Sequence, residues 1–220
     1  FDVTTQVPLR VRVLRITDIP AGEAPQHILA LVVHHIAGDG WSAGPMIRDV
    51  ITAYAARVAG QAPAWEPLPI QYADYALWQR ELLGDAADPE SLTTQQISYW
   101  RDALAGAPAE LELPVDRPRA AAASFRGGHH DVEISPELHR ALTQLGREHG
   151  ASFFMVAHSA LALLLSRLTG SADITIGTPV AGRGERELDD LIGMFVNTLV
   201  LRTQVDGGAS FAQLLAQVRD

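Results

Sequence analysis

Ile28-Leu29-Ala30-Leu31-Val32-Val33-His34-His35-Ile36-Ala37-Gly38-Asp39-Gly40-Trp41-Ser42 is the stretch whose reading decides the fold. Residues 28–33 are short, apolar and partly β-branched, the pattern of a strand buried on both faces. Two histidines follow, then a turn with Gly38 and Gly40 on either side of Asp39. Successive strand side chains point to opposite faces, so His34 and His35 diverge if the strand runs that far. One then faces a cleft, and the other packs inward and holds the turn. The glycines let the chain take positive φ or leave room for a ligand beside the backbone. Beyond them Ile47, Val50, Ile51, Tyr54 and Val58 form a helical stripe, which predicts a helix over residues 42–59. A helix start at this point leaves backbone N–H groups unpaired beside the histidines.

An imidazole next to free amides suits acyl transfer. There a proton leaves a nucleophile while negative charge grows on a carbonyl oxygen. Asp39 either faces the substrate or holds the turn by pairing with a distant arginine. Metal binding fits the pattern poorly, because adjacent strand residues diverge and no further His, Cys or carboxylate stands at ligand spacing.

Composition narrows the field. The chain has 220 residues, 47% of them hydrophobic, enough for one or two domains with a substantial core. A net charge of -9 argues against nucleic acid or an anionic membrane surface as partner. There is no cysteine, so neither disulfides nor thiol chemistry enter. No charged-then-apolar leader opens the chain, and the most apolar helical segment, residues 152–168, is interrupted by His158, Ser159, Ser166 and Arg167. A cytoplasmic protein is the default expectation. All 17 basic residues are arginine, a coding bias that says little about function.

Outward from the histidines, Leu9, Val11 and Val13 alternate with Arg10 and Arg12, a strand with one wet face. Pro20, Gly22 and Pro25 mark a turn, so the two strands pair as a hairpin. Tyr75, Trp78 and Leu82 share a helical face. Residues 91–104 are helical, and a Pro-rich stretch from Leu113 to Arg119 followed by four alanines is the candidate linker. Phe125-Arg126-Gly127-Gly128 leads into a strand through Val132 and Ile134; His129-His130 is an ordinary pair there. Two helices follow, over residues 136–148 and 152–168, with Ser135 and Ser152 as caps. His158 reads as a satisfied core histidine. A strand over residues 173–180, a helix-like piece over 187–191 and an amphipathic helix over 210–218 complete the chain.

His34-His35-x-x-x-Asp39-Gly40 resembles the HHxxxDG signature of the condensation domains of nonribosomal peptide synthetases, members of the chloramphenicol-acetyltransferase-like superfamily. Trp41-Ser42 fits the usual continuation. The strand that begins Phe1-Asp2 and carries Pro8-Leu9, the segment from Tyr72 to Trp78, Tyr99-Trp100, the linker Leu113-Pro114-Val115-Asp116-Arg117-Pro118-Arg119 and the run from Ile192 to Arg202 are similar to further segments of that family in the same order. The resemblance covers essentially the whole chain. It implies an α/β fold of the chloramphenicol-acetyltransferase type, two V-arranged lobes with the histidine motif in a tunnel between them. A full domain of that family is about twice this length, within the usual size for two lobes. The expected division is therefore part of an N-terminal lobe in residues 1–113, an interlobe linker in 114–123, and the first part of a C-terminal lobe in 124–220, incomplete at both ends.

The implied reaction is amide bond formation, central to antibiotic and other secondary-metabolite biosynthesis. An upstream carrier protein presents an aminoacyl or peptidyl thioester on phosphopantetheine, and a downstream carrier presents the amine that attacks it. No cofactor is held by the domain itself; peptidyl carrier and adenylation domains are the partners. His35 is the residue expected to take the amine proton or to position the amine, and His34 to be structural. Asp39 is expected to pair with Arg183, tying the second lobe to the turn. Gly40 N–H is the candidate oxyanion donor, and Trp41, Ser42 and Asn197 are expected to line the site. An epimerization domain shares fold and motif, but its motif continues with Val where Trp41 stands here. A stand-alone acyltransferase and a non-catalytic docking domain are the other rivals; the second of these tends to lose the histidine at position 35.

Overall fold

The computed structural model describes residues 1–220 apart from Ala21, Arg119, Ala121, Ala123 and Phe125. Part of the predicted linker, its approach to the next segment and one residue of the first turn therefore lie outside the described residues. Strands β1 (Leu9–Arg15) and β2 (His27–Val33) pair antiparallel, Leu9 opposite Val33 and Arg15 opposite His27, giving the predicted hairpin. A 3-10 turn over His35–Ala37 leads to α1 (Ala43–Val58), followed by α2 (Tyr72–Leu83) and α3 (Leu92–Ala103). After the Pro-rich stretch come α4 (Pro136–Glu148), α5 (Phe153–Thr169), β3 (Asp173–Val180), β4 (Asn197–Gln204) and α6 (Phe211–Arg219), with β3 beside β4.

The chain packs as two compact units, residues 1–98 with 179–198, and residues 99–178 with 199–220. A division at residues 114–123 assigns 179–198 to the second lobe; their packing is with 1–98. The first unit has its core in Tyr75, Leu188, Leu191 and Phe195, backed by Ile70 and Tyr72. The second is built on Ala162, Ile174, Val205 and Leu214, with Leu163, Ile176 and Val218 against them.

Local signals explain the helix boundaries. Ser135 Oγ accepts from Leu138 N and Ser152 Oγ from Met155 N, so both predicted caps act as caps. Gly170 closes α5 at φ 72°, the left-handed conformation that favours glycine. His158 is buried and shares a 3.0 Å hydrogen bond with Thr203. Burial pushes its pKa down. Arg202 grips both carboxylate oxygens of Asp173, at 2.9 and 2.6 Å, and donates to the Ala103 and Ala105 carbonyls, joining the end of α3 to the β3–β4 pair. Among the described residues no single helix is long and apolar enough to cross a membrane.

Several expectations need correcting. The strand expected to be buried on both faces is β2, and Ile28, Leu29 and Val32 are exposed on it. Its apolar character is real, but among the described residues β2 has a single ladder neighbour, β1, in a two-stranded sheet. The stripe on α1 is helical as read, yet Ile47, Ile51, Tyr54 and Val58 are exposed too. Val132 and Ile134 form no strand, because no described residue supplies a ladder partner and an isolated extended segment lacks the hydrogen bonds that define one. The helix-like piece at 187–191 is a single 3-10 turn, Arg186–Leu188.

Candidate active site

β2 ends at Val33, one residue before the pair, so the turn rather than the strand's alternation separates the two histidines. His34 sits at the head of the 3-10 turn. Its Nδ1 accepts from Ile36 N at 3.1 Å, and its ring meets the Phe1 ring edge-on at 5.8 Å. It holds the turn. His35 is exposed and lines a cavity of about 240 Å³ together with Val33, Gly38, Asp39, Gly40, Ser42, Met46 and Ile192.

Below the histidines lies a buried polar knot. The Asp39 side chain is fully enclosed, and its Oδ1 accepts from Ser42 N (2.9 Å) and Ser42 Oγ (2.8 Å). Its Oδ2 accepts from Phe195 N (2.9 Å) and Val196 N (3.3 Å). Arg183 Nη2 stands 3.5 Å from Asp39 Oδ1, donates to Ser42 Oγ at 3.1 Å, and its guanidinium lies 4.0 Å over the Phe195 ring. Arg183 Nη1 donates to the Leu188 and Leu191 carbonyls. Burial opposes ionisation of Asp39. The Phe195 amide, the Ser42 hydroxyl and amide, and the Arg183 charge outweigh it and bring the carboxyl down to about 2. Asp39 is therefore an ionised structural anchor, and its oxygens are occupied.

Ser42 does more than line the site. It stands at the head of α1 but caps nothing there. Its hydroxyl is spent on the segment at 193–196: Ser42 Oγ is 2.7 Å from the Gly193 carbonyl and accepts from Gly193 N at 3.1 Å. One hydroxyl proton serves either that carbonyl or Asp39, while three donors point at the oxygen. Tyr72 OH donates to the Met194 carbonyl at 2.7 Å. Gly193 is required by close approach, since a Cβ there would overlap the Tyr72 ring. The turn after β2 and residues 191–196 are thereby stapled into one body, an arrangement the sequence reading did not foresee for Tyr72, Gly193, Met46 or Ile192. The sequence signal was that Tyr72, Ile192 and Gly193 fall inside motif-like runs, whereas Met46 carried none.

The remaining expected residues divide. Among the described residues the amides of Gly40 and Trp41 make no hydrogen bond, and of the two Gly40 lines the cavity with His35. Neither turn glycine is there for positive φ: Gly38 is extended at φ -176°, and Gly40 is not among the positive-φ residues. A Cβ at Gly40 would point into open space, so its contribution is an unobstructed backbone. Trp41 is exposed and stands outside the cavity lining. Asn197 does not line it either; exposed at the start of β4, its Oδ1 accepts from the Thr198 amide at 2.8 Å. The strand's outset turns that side chain to its own backbone, a short-range satisfaction typical of Asn. Among the described residues no three His, Asp or Glu side chains gather to hold a metal ion.

Comparison with known proteins is consistent with this geometry. The family model described as Condensation domain matches residues 1–220. A probable non-canonical nonribosomal peptide synthetase of Salinispora arenicola, CymA, is 48% identical over 220 residues, 100% of this chain and 3% of its own length. A dimodular nonribosomal peptide synthase of Bacillus subtilis is 51% identical over 195 residues, 89% of this chain and 8% of its own. Among solved structures, the X-domain from teicoplanin biosynthesis, in complex with OxyB, has a TM-score of 0.90 at 34% identity, covering 100% of this chain and 47% of that one. The first condensation domain of the calcium-dependent antibiotic synthetase, in complex with a substrate analogue, has a TM-score of 0.65 at 27% identity over 88% of this chain and 41% of that one. The chain thus spans under a tenth of these curated relatives and less than half of these solved chains.

Proposed function

Since the chain belongs to the condensation-domain family of nonribosomal peptide synthetases, we propose that it joins a carrier-bound aminoacyl or peptidyl thioester to the amine of a carrier-bound amino acid. The observation that carries the reading is the split between the two histidines. His34 is engaged in the turn, whereas His35 opens into the cavity with the free Gly40 amide beside it. Asp39, the other titratable side chain on that cavity, has no oxygen to spare.

The amine nitrogen attacks the thioester carbon, forming the C–N bond. His35 takes the amine proton or holds the nitrogen's lone pair on the carbonyl. Negative charge then grows on the carbonyl oxygen, and the Gly40 N–H is the donor that receives it in this reading. Collapse breaks the C–S bond, and the phosphopantetheine thiolate leaves and takes up a proton. Both arms are substrates delivered by peptidyl carrier domains, with an adenylation domain adjacent in the same synthetase. Residues 114–123 are the linker between the lobes in this reading.

In the synthetase module that contains this chain, His35→Ala should cut product transfer by about 10²–10⁴-fold while both carriers stay loaded. Wild-type transfer in that variant would remove His35 from the mechanism. A docking role has some support, because the teicoplanin X-domain was solved in complex with another protein. The open imidazole favours catalysis, and the same variant separates the two readings, since docking does not need the ring.

A further inference from the structure

Ile192 and Met194 are the side chains of the stapled segment left exposed, and of the two Ile192 lines the His35 cavity. The backbone on either side of Ile192 is tied down. The Leu191 carbonyl accepts from Arg183 Nη1 at 3.0 Å, both polar atoms of Gly193 meet Ser42 Oγ, and the Phe195 amide goes to Asp39. Leu191 and Phe195 are spent on the core of the first unit. Ile192 enters neither core cluster, remains 40% exposed, and lines the His35 cavity. Met46, in the first turn of α1, lines the same cavity. No Arg lines it, and its one carboxylate, Asp39, is fully engaged. A charged side chain entering there meets no arginine and no free carboxylate to pair with.

We propose that Ile192 and Met46 form an acceptor-reading wall, which selects uncharged amino acids by the bulk of their side chain. This rests on the assignment of His35 to the amine. The α-carbon of the acceptor is one bond from that nitrogen, so its side chain branches off close to the imidazole. Ile192 supplies a branched surface on a backbone that cannot retreat. Met46, unbranched and adaptable, supplies a softer one. Together they set how much side chain fits before the amine is pushed off the imidazole.

The test uses the module that contains this chain, with acceptor carriers loaded from synthetic aminoacyl-coenzyme A so that adenylation selectivity does not enter. Single-turnover amide formation is measured for Ala, Leu, Phe and Asp acceptors. Ile192→Ala should raise the Phe-to-Ala rate ratio by about tenfold, the scale of discrimination an apolar pocket achieves. Ile192→Phe should lower that ratio comparably, and Met46→Ala should move it as Ile192→Ala does. Ile192→Val, which removes a single carbon, should give a smaller shift in the same direction as Ile192→Ala; it guards against loss of the fold. Ile51→Ala, on α1 away from the cavity, should keep the wild-type ratio, and the Asp acceptor should stay slowest throughout. A ratio within about twofold of wild type across the Ile192 series would overturn the proposal. Amide formation by the wild type with an unchanged ratio refutes the wall alone. No amide from the wild type with any acceptor, with both carriers loaded, refutes the assigned reaction and the wall with it.

Discussion

Asp39→Ala probes the knot most directly. The substitution removes an acceptor for four donors, Ser42 N, Ser42 Oγ, Phe195 N and Val196 N, and strands the charge of Arg183. The Asp39 side chain is 0% and that of Arg183 5% exposed, so water cannot replace what is lost. Breaking a buried pair from one side costs about 3–5 kcal/mol, mostly because the surviving charge stays buried. With a urea dependence of about 2 kcal/mol per molar, the unfolding midpoint should fall by about 1.5–2.5 M. Removing both partners is a different perturbation. Asp39→Ala with Arg183→Met leaves no stranded charge and should be less destabilised than the sum of the two single variants, by about 1–3 kcal/mol. Equilibrium urea unfolding of the wild type and the three variants supplies the cycle. An Asp39→Ala midpoint within about 0.3 M of wild type, or strict additivity in the double variant, would refute the account of the knot.

Three further outcomes follow from the geometry. Asp39 is held at about 2 against an ordinary 3.8, so the folded state favours its ionised form; that contribution, about 2 kcal/mol, is fully present above pH 3.8 and disappears as pH falls toward 2. Acid titration of stability should show this loss in the wild type and lack it in Asp39→Asn. His158 lies below its ordinary 6.5, so the unfolded chain takes up the proton first and stability should decline from pH 7 toward 5. His158→Gln should remove that part of the slope, and an unchanged slope would contradict the burial of the ring. Gly193→Ala places a Cβ in the Tyr72 ring, which is held by its hydrogen bond to the Met194 carbonyl and by the Phe195 ring at 5.2 Å. It should cost about 1–3 kcal/mol in thermal or urea unfolding, whereas neutrality would show that the segment is free to move.

The local signals were legible wherever the physics is local. The hairpin, the caps at Ser135 and Ser152 and the helices around them could be read from periodicity and cap chemistry, because each depends on residues within a few positions of one another. The same holds for the difference between His34 and His35, although its cause was misassigned: the chain leaves the strand before the pair, and a 3-10 turn parts the rings. Burial was not legible. An apolar run states what a strand tolerates on its faces, not what is present to cover them, so Ile28, Leu29 and Val32 were placed in a core they do not occupy. Asn197 failed for a related reason: motif position says nothing about which way an amide turns when its own backbone offers a closer partner.

By itself the sequence determined the family, the hairpin with the turn after it, and the helices over residues 42–59, 136–148 and 152–168, all carried by short patterns read along the chain. The tertiary structure alone decided that the turn at Asp39 and the run at 191–196, some 150 residues away, are one body. Their union depends on hydrogen bonds between side chains and distant amides, and such bonds have no sequence spacing to betray them. It also decided which side chain of that run, Ile192, lines the cavity that His35 opens into.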